Sequence, residues 1–119
     1  MPFSKILSAM VDSVEGALGA IFMDSECEYV QYYGQIDSFR QKLMGAYQGI
    51  LLGLVRNAGQ KLDIQTLTIL VTEYEHAKFV TKTLKSGYFI VLVMGPESNI
   101  GKGLREIERV AAIINEEIV

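Results

Sequence analysis

The chain has 119 residues, half of them hydrophobic and 21% of them charged, which is typical of one globular domain spanning residues 1–119. Its formal net charge of −3, from 11 basic and 14 acidic residues, is small and of the wrong sign for attraction to a phosphate backbone, which argues against a nucleic acid partner. No apolar stretch approaches the roughly 20 residues that a membrane-spanning helix needs, so direct membrane insertion is not expected either.

The first third of the chain predicts a helix followed by two strands. Apolar residues recur at helical spacing over 3–15 and Gly16 follows them, so this segment is interpreted as an amphipathic first helix. The continuous apolar run at 17–23 is too short for a typical helix and favours a strand buried on both faces. A second strand, rich in tyrosine and valine, is predicted over 28–33. The short polar link between the two strands favours an antiparallel hairpin.

Residues 36–58 form the longest periodic segment, which predicts a helix ending at Asn57 and Gly59. Two adjacent apolar stripes run along this helix, so it must bury more than one side. Three glycines recur every four residues, and each costs roughly 1 kcal/mol of helix propensity relative to alanine. Close approach of another backbone would offset that cost, and the neighbour is either the domain's own sheet or a helix of a second molecule. The first stripe is Phe39, Leu43, Ala46, Ile50 and Leu54; the second is Met44, Tyr47, Leu51 and Val55; the glycines are Gly45, Gly49 and Gly53.

Three further strands are predicted after the long helix. The segment 62–73 is rich in β-branched residues, and the parity of its apolar positions shifts near Thr66, as at a bulge. A turn leads to a fourth, alternating strand over 77–84. A second turn leads to a fifth strand over 88–94, which is apolar without a break.

A final helix follows, for which Ser98 or Asn99 is the expected cap. The predicted order is therefore α-β-β-α-β-β-β-α. Strands one and five are apolar throughout and should be central, whereas strands two and three are mixed and should lie at the edges. Central strands buried on both faces need helices on both faces. The expected fold is an α/β (α+β) domain with a five-stranded, mostly antiparallel sheet covered on both sides.

One candidate site lies at residues 95–103, Gly-Pro-Glu-Ser-Asn-Ile-Gly-Lys-Gly, between a strand and a helix. Its context suits a phosphate-binding loop, but five residues separate the first two glycines where that loop has four. Gly103 replaces the Ser or Thr that would hold magnesium, and Glu97 adds negative charge where phosphate would sit. We interpret the segment as a capped turn, and a small-ligand or phosphate sensor stays as an alternative function.

The other candidate residues do not form a catalytic set. His76, the only histidine, lies in a predicted turn about fifty positions from Cys27, whereas metal sites need several ligands and nucleophiles need an adjacent base. No catalytic residue, metal ligand or cofactor-binding residue is therefore assigned. Cys27 cannot form an internal disulfide, which fits a cytoplasmic location. A loose acidic set is interpreted as solvated: Asp12, Glu15, Asp24, Glu26 and Glu28.

The chain resembles the Roadblock/dynein light chain family. The resemblance rests on the segments VEGALGAIFMDSECEYVQYYG (14–34) and GYFIVLVMGPESNIGKGLREIERVAAII (87–114), and the element order matches along nearly the whole length. Family members lead from a helix into a Gly-Ala-containing first strand, an acidic turn and a second strand. Later, a buried strand ends in a loop that opens with an Asn-Leu-Gly-like cap, here Asn99-Ile100-Gly101. Cys27 departs from the pattern, since glycine is usual at this hairpin turn.

The resemblance implies a dimer in which the third strands pair into one sheet and the long helices pack side by side. It also implies a platform for Ras-like small GTPases. Bacterial members include the partner of a polarity GTPase in gliding motility, which stimulates hydrolysis by positioning the GTPase's own residues. Neither Arg40 nor Arg56 is therefore assigned as an arginine finger. The implied interface residues are Met44, Gly45, Tyr47, Gly49, Leu51, Gly53, Ile64, Thr66, Thr68 and Leu70.

Two features favour self-association without reference to any family. The long helix has more apolar surface than one sheet can cover, and the third strand is β-rich, poor in charge and expected at a sheet edge. We therefore expect a non-enzymatic homodimer that binds a small GTPase and regulates or anchors it. The first alternative is a pure scaffold that does not affect GTP turnover.

Overall fold

The structure, a computed structural model, describes residues 3–118 as three helices and a five-stranded antiparallel sheet in the predicted order α-β-β-α-β-β-β-α. The strands predicted over 28–33, 77–84 and 88–94 are all present, and each observed boundary lies within one residue of the predicted one. The elements are α1 (Phe3–Ser13), β1 (Ala17–Met23), β2 (Tyr29–Gly34), α2 (Ser38–Leu62), β3 (Ile69–Glu73), β4 (Lys78–Thr83), β5 (Phe89–Met94) and α3 (Ile100–Asn115).

The strand order in the sheet is β2-β1-β5-β4-β3. β1 and β5 are neighbours near the middle, and β2 and β3 form the two edges, as the apolar patterns predict. Every residue of β5 is buried because its two faces are covered by different helices. Such burial on both faces explains why β1 and β5 lack the alternation of a half-exposed strand.

Helices α1 and α3 cover one face of the sheet, and α2 covers the other. Successive residues of β5 divide between the two hydrophobic cores, since side chains alternate across a strand. Ile90 and Leu92 pack toward α1 and α3, whereas Val91 and Val93 pack toward α2. Helix α2 packs over β1 and β2, at one side of its face, and the part of that face formed by β3 and β4 is less covered.

Helix α2 is longer than the sequence predicts, because Asn57 and Gly59 do not end it. It begins at an Asp37 cap, whose carboxylate accepts a hydrogen bond from the backbone N–H of Arg40 at 3.1 Å. It ends where Asp63 adopts the left-handed conformation, with φ of 56°. Gly59 stays helical, and its carbonyl accepts the capping N–H groups that follow. Aspartate tolerates this conformation, so the helix needs no glycine to stop.

The third strand is correspondingly shorter than the predicted range 62–73. Ladder pairing with β4 begins only at Ile69, and residues 63–68 form an irregular connection. Gln65 also has a positive φ, of 76°, which is incompatible with an extended strand. Thr83 holds the end of this connection, because its hydroxyl donates to the carbonyls of Leu67 and Thr68. Thr66 therefore lies outside the strand, and the ladder between β3 and β4 has no bulge.

Glu106 links the two helices on the α1–α3 face. Its carboxylate accepts hydrogen bonds from the Arg109 guanidinium at 2.9 Å and from the Ser13 hydroxyl at 3.0 Å. The hydrogen bond from Arg109 is the main reason that the pKa of Glu106 lies below its ordinary value; burial opposes this shift, and the Ser13 hydroxyl adds a further lowering. The charged form of Glu106 is therefore stabilised mainly within α3, by Arg109, and the hydrogen bond from Ser13 adds a link to α1.

This lowered pKa predicts a pH-dependent part of the stability. A carboxyl with a lower pKa in the folded state stabilises the fold above its unfolded pKa, and loses that contribution as the pH falls through the folded pKa. Glu106→Gln should therefore unfold at lower urea concentration than the unchanged chain at neutral pH, with the difference shrinking in acid. Glu97→Gln, at an exposed loop position, is the control. An equal difference at both pH values would contradict the assignment.

Candidate partner-binding surface

The row of α2 that faces the sheet contains two glutamines, so the apolar pattern of the sequence did not identify this row as buried. Gln41, Gly45, Gln48 and Leu52 are the buried positions of this helix. Gln48 accepts a hydrogen bond of 3.0 Å from the buried hydroxyl of Thr81, and the Gln41 amide donates to the carbonyl of Ile36 at 3.0 Å. These bonds offset part of the cost of burying polar side chains, since the buried Oε1 of Gln41 has no hydrogen-bond partner among the described residues. The helix is therefore turned so that most of its apolar residues face away from the sheet.

The glycines of α2 divide between the sheet and open space. A Cβ at Gly45 would lie 2.6 Å from the Met23 sulfur, and one at Gly49 would lie 2.5 Å from the Cys27 sulfur. Both glycines therefore allow α2 to approach the β1–β2 hairpin of its own chain. A Cβ at Gly53 would meet nothing within 4 Å. Of the two neighbours left open by the sequence, the domain's own hairpin is the one that Gly45 and Gly49 contact, and these contacts do not support their predicted role at a partner interface.

Four residues of the first apolar stripe of α2 and Tyr47 of the second stripe form one exposed row along the helix. Phe39 is 71% exposed, Tyr47 60% and Leu54 63%. Over these four turns the stripe is roughly 22 Å long, at 1.5 Å of rise per residue. Soluble monomers seldom expose a continuous apolar strip of this kind, which marks contact sites for other molecules. We call it the outer stripe, comprising Phe39, Leu43, Tyr47, Ile50 and Leu54.

A groove lies beside the outer stripe, between α2 and the turn that leads into β4. Its volume is about 610 Å³, and its walls are mainly apolar. Arg40, Glu75 and His76 supply its charged or titratable groups, and His76 forms an exposed contact of 3.2 Å with Glu75. The apolar lining is Leu43, Met44, Tyr47, Leu51, Tyr74, Ala77 and Phe79.

The other residues predicted at the interface lie along α2 and in the segment between α2 and β3, or within β3 itself. Ile64, Thr66 and Thr68 are exposed, but they lie in the connection before β3. Leu70 lies within β3 and packs, half-buried, on the α2 side of the sheet. The structure therefore brings Met44, Tyr47 and Leu51 together in the groove and places the threonines elsewhere. Sequence reasoning recognised the outer stripe but left most of it out of the interface: Phe39, Leu43, Ile50 and Leu54.

The loop at 95–103 forms a capped turn, as interpreted from the sequence. Asn99 caps α3, accepting a hydrogen bond of 3.3 Å from the backbone N–H of Lys102. Lys78 donates to the carbonyl of Ser98 at 3.0 Å, which ties the loop to β4. Gly103 is buried, and a Cβ there would lie 2.7 Å from the Met94 sulfur. Its glycine is thus explained by close packing of α3 on β5.

The polar residues considered for chemistry lie in separate places. Cys27 is half-buried beneath α2 with a positive φ of 62°, whereas His76 is exposed at the turn before β4. The Asp24 carboxylate accepts the backbone N–H groups of Glu26 and Glu28 and so shapes the hairpin turn. Within residues 3–118, no three His, Cys, Asp or Glu residues are grouped closely enough to hold a metal ion. None of the helices described there could cross a membrane.

Together, the element order, the sheet covered on both faces and the long exposed helix match the fold of Roadblock/LC7 domains. A Roadblock/LC7 domain from Streptomyces avermitilis superposes with a TM-score of 0.89 at 19% identity, covering 97% of this chain and 96% of that one. MglC from Myxococcus xanthus superposes with a TM-score of 0.71 at 28% identity, covering 99% of this chain and 100% of that one. The resemblance seen in the sequence is thus confirmed for the fold.

MglB is a further structural neighbour. The gliding protein MglB from Thermus thermophilus superposes with a TM-score of 0.83 at 12% identity, covering 94% of this chain and 84% of that one. MglB has also been seen in a tetrameric arrangement. No family model and no curated protein sequence matches the chain. At these identities the neighbours establish the fold of this chain. Its binding partners must be inferred from its own surface residues.

Proposed function

We propose that this protein is a cytoplasmic, non-enzymatic homodimer that binds a Ras-like small GTPase and regulates it or fixes its location. The observation that carries the proposal is the outer stripe of α2, five large apolar side chains exposed beside an apolar groove. An apolar strip of this length would be costly to leave in water, because each buried Leu, Ile or Phe side chain contributes about 1.5–3 kcal/mol.

A second copy of the chain is the proposed occupant of much of this surface. A standard interface buries about 800 Å² per partner. The outer stripe supplies several large side chains that are more than half exposed, and Leu62 and Ile64 extend the apolar surface past the end of α2 at 68% and 66% exposure. The free edge of β3 adds unpaired backbone groups that a second strand would satisfy. A two-fold dimer would place the same patch on both copies.

The GTPase is proposed as the second partner because of the fold and the family resemblance. The structural neighbours include MglC and MglB, and the resemblance implies a platform made by paired long helices. The proposed contact residues are the outer stripe and the predicted interface residues other than Gly45 and Gly49, namely Met44, Tyr47, Leu51, Gly53, Ile64, Thr66, Thr68 and Leu70. Their side chains are apolar or neutral, so we expect binding to act on the GTPase's own catalytic groups.

The proposal is tested in two measurements on the purified chain. Light scattering at micromolar concentration should give about twice the 13.2 kDa of one chain. Ras-like GTPases from the source cell, loaded with a fluorescent non-hydrolysable GTP analogue, should then show increased anisotropy when the chain is added. A persistent 13.2 kDa species would contradict the dimer, and unchanged anisotropy for every such GTPase would contradict the partner. Single-turnover hydrolysis of GTP separates a regulator, which changes the rate, from a scaffold, which binds without changing it.

A further inference from the structure

The second free edge of the sheet, formed by β2, is also open. Among residues 3–118, β2 has a strand neighbour only on its β1 side. The residues at both ends of β2 are exposed, and the two central residues are half-buried. Tyr29 is 44% exposed and Val30 is 41% exposed. Open edges normally carry lysine, proline or other guards against unwanted pairing. Residues 28–35 contain neither lysine nor proline. The register shift between Phe22 and Met23 distorts the ladder only at its hairpin end.

The negative charge of the chain is concentrated around this edge. Residues 1–36 contain five acidic residues and one lysine, whereas residues 37–119 contain nine acidic and ten basic residues. At one end of β2, Asp12 lines a depression together with Tyr33 and Gln35. At the other end, Glu26 and Glu28 are exposed in the hairpin turn. Three members of the acidic set seen in the sequence, Asp12, Glu26 and Glu28, therefore bracket the strand, whereas Lys42 of α2 places one positive charge against Tyr29.

We propose that the β2 edge binds a basic, extended segment of a partner protein by strand addition. The backbone of the added strand would pair with the outward groups of β2 and displace the Gln31 side chain, whose Oε1 accepts the Tyr32 N–H at 3.0 Å. Lysine or arginine side chains would meet the acidic residues at the ends of the strand. A second copy of this chain is disfavoured at this edge, since pairing two β2 edges would bring two acidic surfaces together.

The tyrosines of β2 add a second source of recognition for basic side chains. Lys42 of α2 already stacks on the Tyr29 ring, with its ammonium 4.2 Å from the ring centroid. Tyr33 points to the opposite face of the strand, where it is paired with Ala20 and partly exposed. A lysine of an added strand could lie over this ring in the same way, and such cation–π contacts contribute roughly 0.5–1 kcal/mol at exposed sites.

This site is distinct from the one proposed for the dimer and the GTPase. β2 and β3 are the opposite edges of the five-stranded sheet, so both can be occupied at once. The two proposals also fail separately. Loss of the β2 site would leave the mass of the dimer unchanged, and loss of the outer stripe would leave β2 free to bind.

The test uses the full chain and a fluorescent hexapeptide, Lys-Val-Lys-Thr-Lys-Val, titrated at low ionic strength. We expect saturable binding and at least tenfold weaker binding of Glu-Val-Glu-Thr-Glu-Val. Two N-methylated forms of the basic peptide carry the methyl groups on the odd or on the even backbone amides, and we expect at least tenfold weaker binding of the one whose methylated amides would face β2. Amide hydrogen exchange should slow at residues 29–34 upon binding. Glu26→Gln/Glu28→Gln should weaken binding several-fold, whereas Glu97→Lys, which changes the net charge by the same amount, should leave it unchanged.

Each result decides the proposal. Absence of binding by the basic peptide would overturn it. If both N-methylated peptides bind as tightly as the unmodified peptide, the attraction does not involve strand addition, and the proposal is overturned. Equal weakening by Glu97→Lys and by Glu26→Gln/Glu28→Gln would show that net charge acts without a site. Slowed exchange on β3 and not on β2 would show that the peptide binds at the other edge, and the proposal for β2 would be overturned.

Discussion

Gly49→Leu should lower the free energy of unfolding by about 1–2 kcal/mol, because overpacking so close a contact costs up to about 3 kcal/mol and removing a helix glycine regains only roughly 1 kcal/mol. The new side chain would collide with the Cys27 sulfur, 2.5 Å from the position of a Cβ, and with the Phe89 ring at 3.1 Å. Phe89 is buried in the core beneath α2, so it has little room to move. Urea unfolding followed by circular dichroism at a fixed chain concentration measures the change.

Gly53→Ala is the matched control for this prediction. It lies one helical turn further along, and its Cβ would meet no atom of the chain within 4 Å. The same helix should therefore gain about 0.5–1 kcal/mol from alanine at this position. A Gly49→Leu variant that unfolds like the unchanged chain but no longer dimerises would contradict the structure, since Gly49 would then face a partner and not the hairpin.

Leu54→Glu should raise the dissociation constant of the proposed dimer at least about 100-fold, which corresponds to roughly 2.7 kcal/mol. The substitution places a charge in the middle of a surface that the dimer would remove from water, and a buried charge without a partner is strongly unfavourable. Because Leu54 is 63% exposed in the single chain, its own fold should be little affected. Sedimentation velocity over a concentration series measures the dissociation constant.

Ala112→Glu is the control for Leu54→Glu, since it also places a glutamate at an exposed helix position, here on α3. It should leave the dissociation constant unchanged. If both variants dimerise as tightly as the unchanged chain, the outer stripe does not form the interface. If both weaken the dimer equally, added negative charge and not the stripe is responsible.

The central strands were the most predictable part of the fold. The runs 17–23 and 88–94 are apolar without a break, which reflects burial on both faces, and the structure confirms β1 and β5 close to these bounds. The cap at Asn99 was predictable for a similar reason, because a short polar side chain directly precedes an amphipathic repeat. These features depend on local pattern alone.

The boundary between α2 and β3 was not predictable from local pattern. Asn57 and Gly59 are common at helix ends, yet the helix continues to Leu62 because the capping bonds form at Asp63. Ile64, Thr66 and Thr68 remain outside the sheet, since the ladder begins at Ile69, directly after the carbonyls of Leu67 and Thr68 that accept the Thr83 hydroxyl. A contact between residues 15 positions apart fixes this start, and no short window contains it.

The rotation of α2 about its axis was hidden for a different reason. Sequence reasoning assumes that the sheet-facing row of a helix is apolar, whereas Gln41 and Gln48 are buried here. Their partners, the Ile36 carbonyl and the Thr81 hydroxyl, become visible only in three dimensions. The outer stripe was therefore seen as a pattern, but its exposure had to come from the structure.

The uneven charge along the chain has a consequence for assembly kinetics. If two copies join through α2 and β3, their acidic β2 ends lie at the far poles of the pair, and residues 37–119, with a net charge of +1, lie between them. Long-range repulsion between the copies is then small, so the rate of self-association should change little with salt. A basic partner approaching either pole would be steered toward it, and that encounter rate should fall steeply as ionic strength rises.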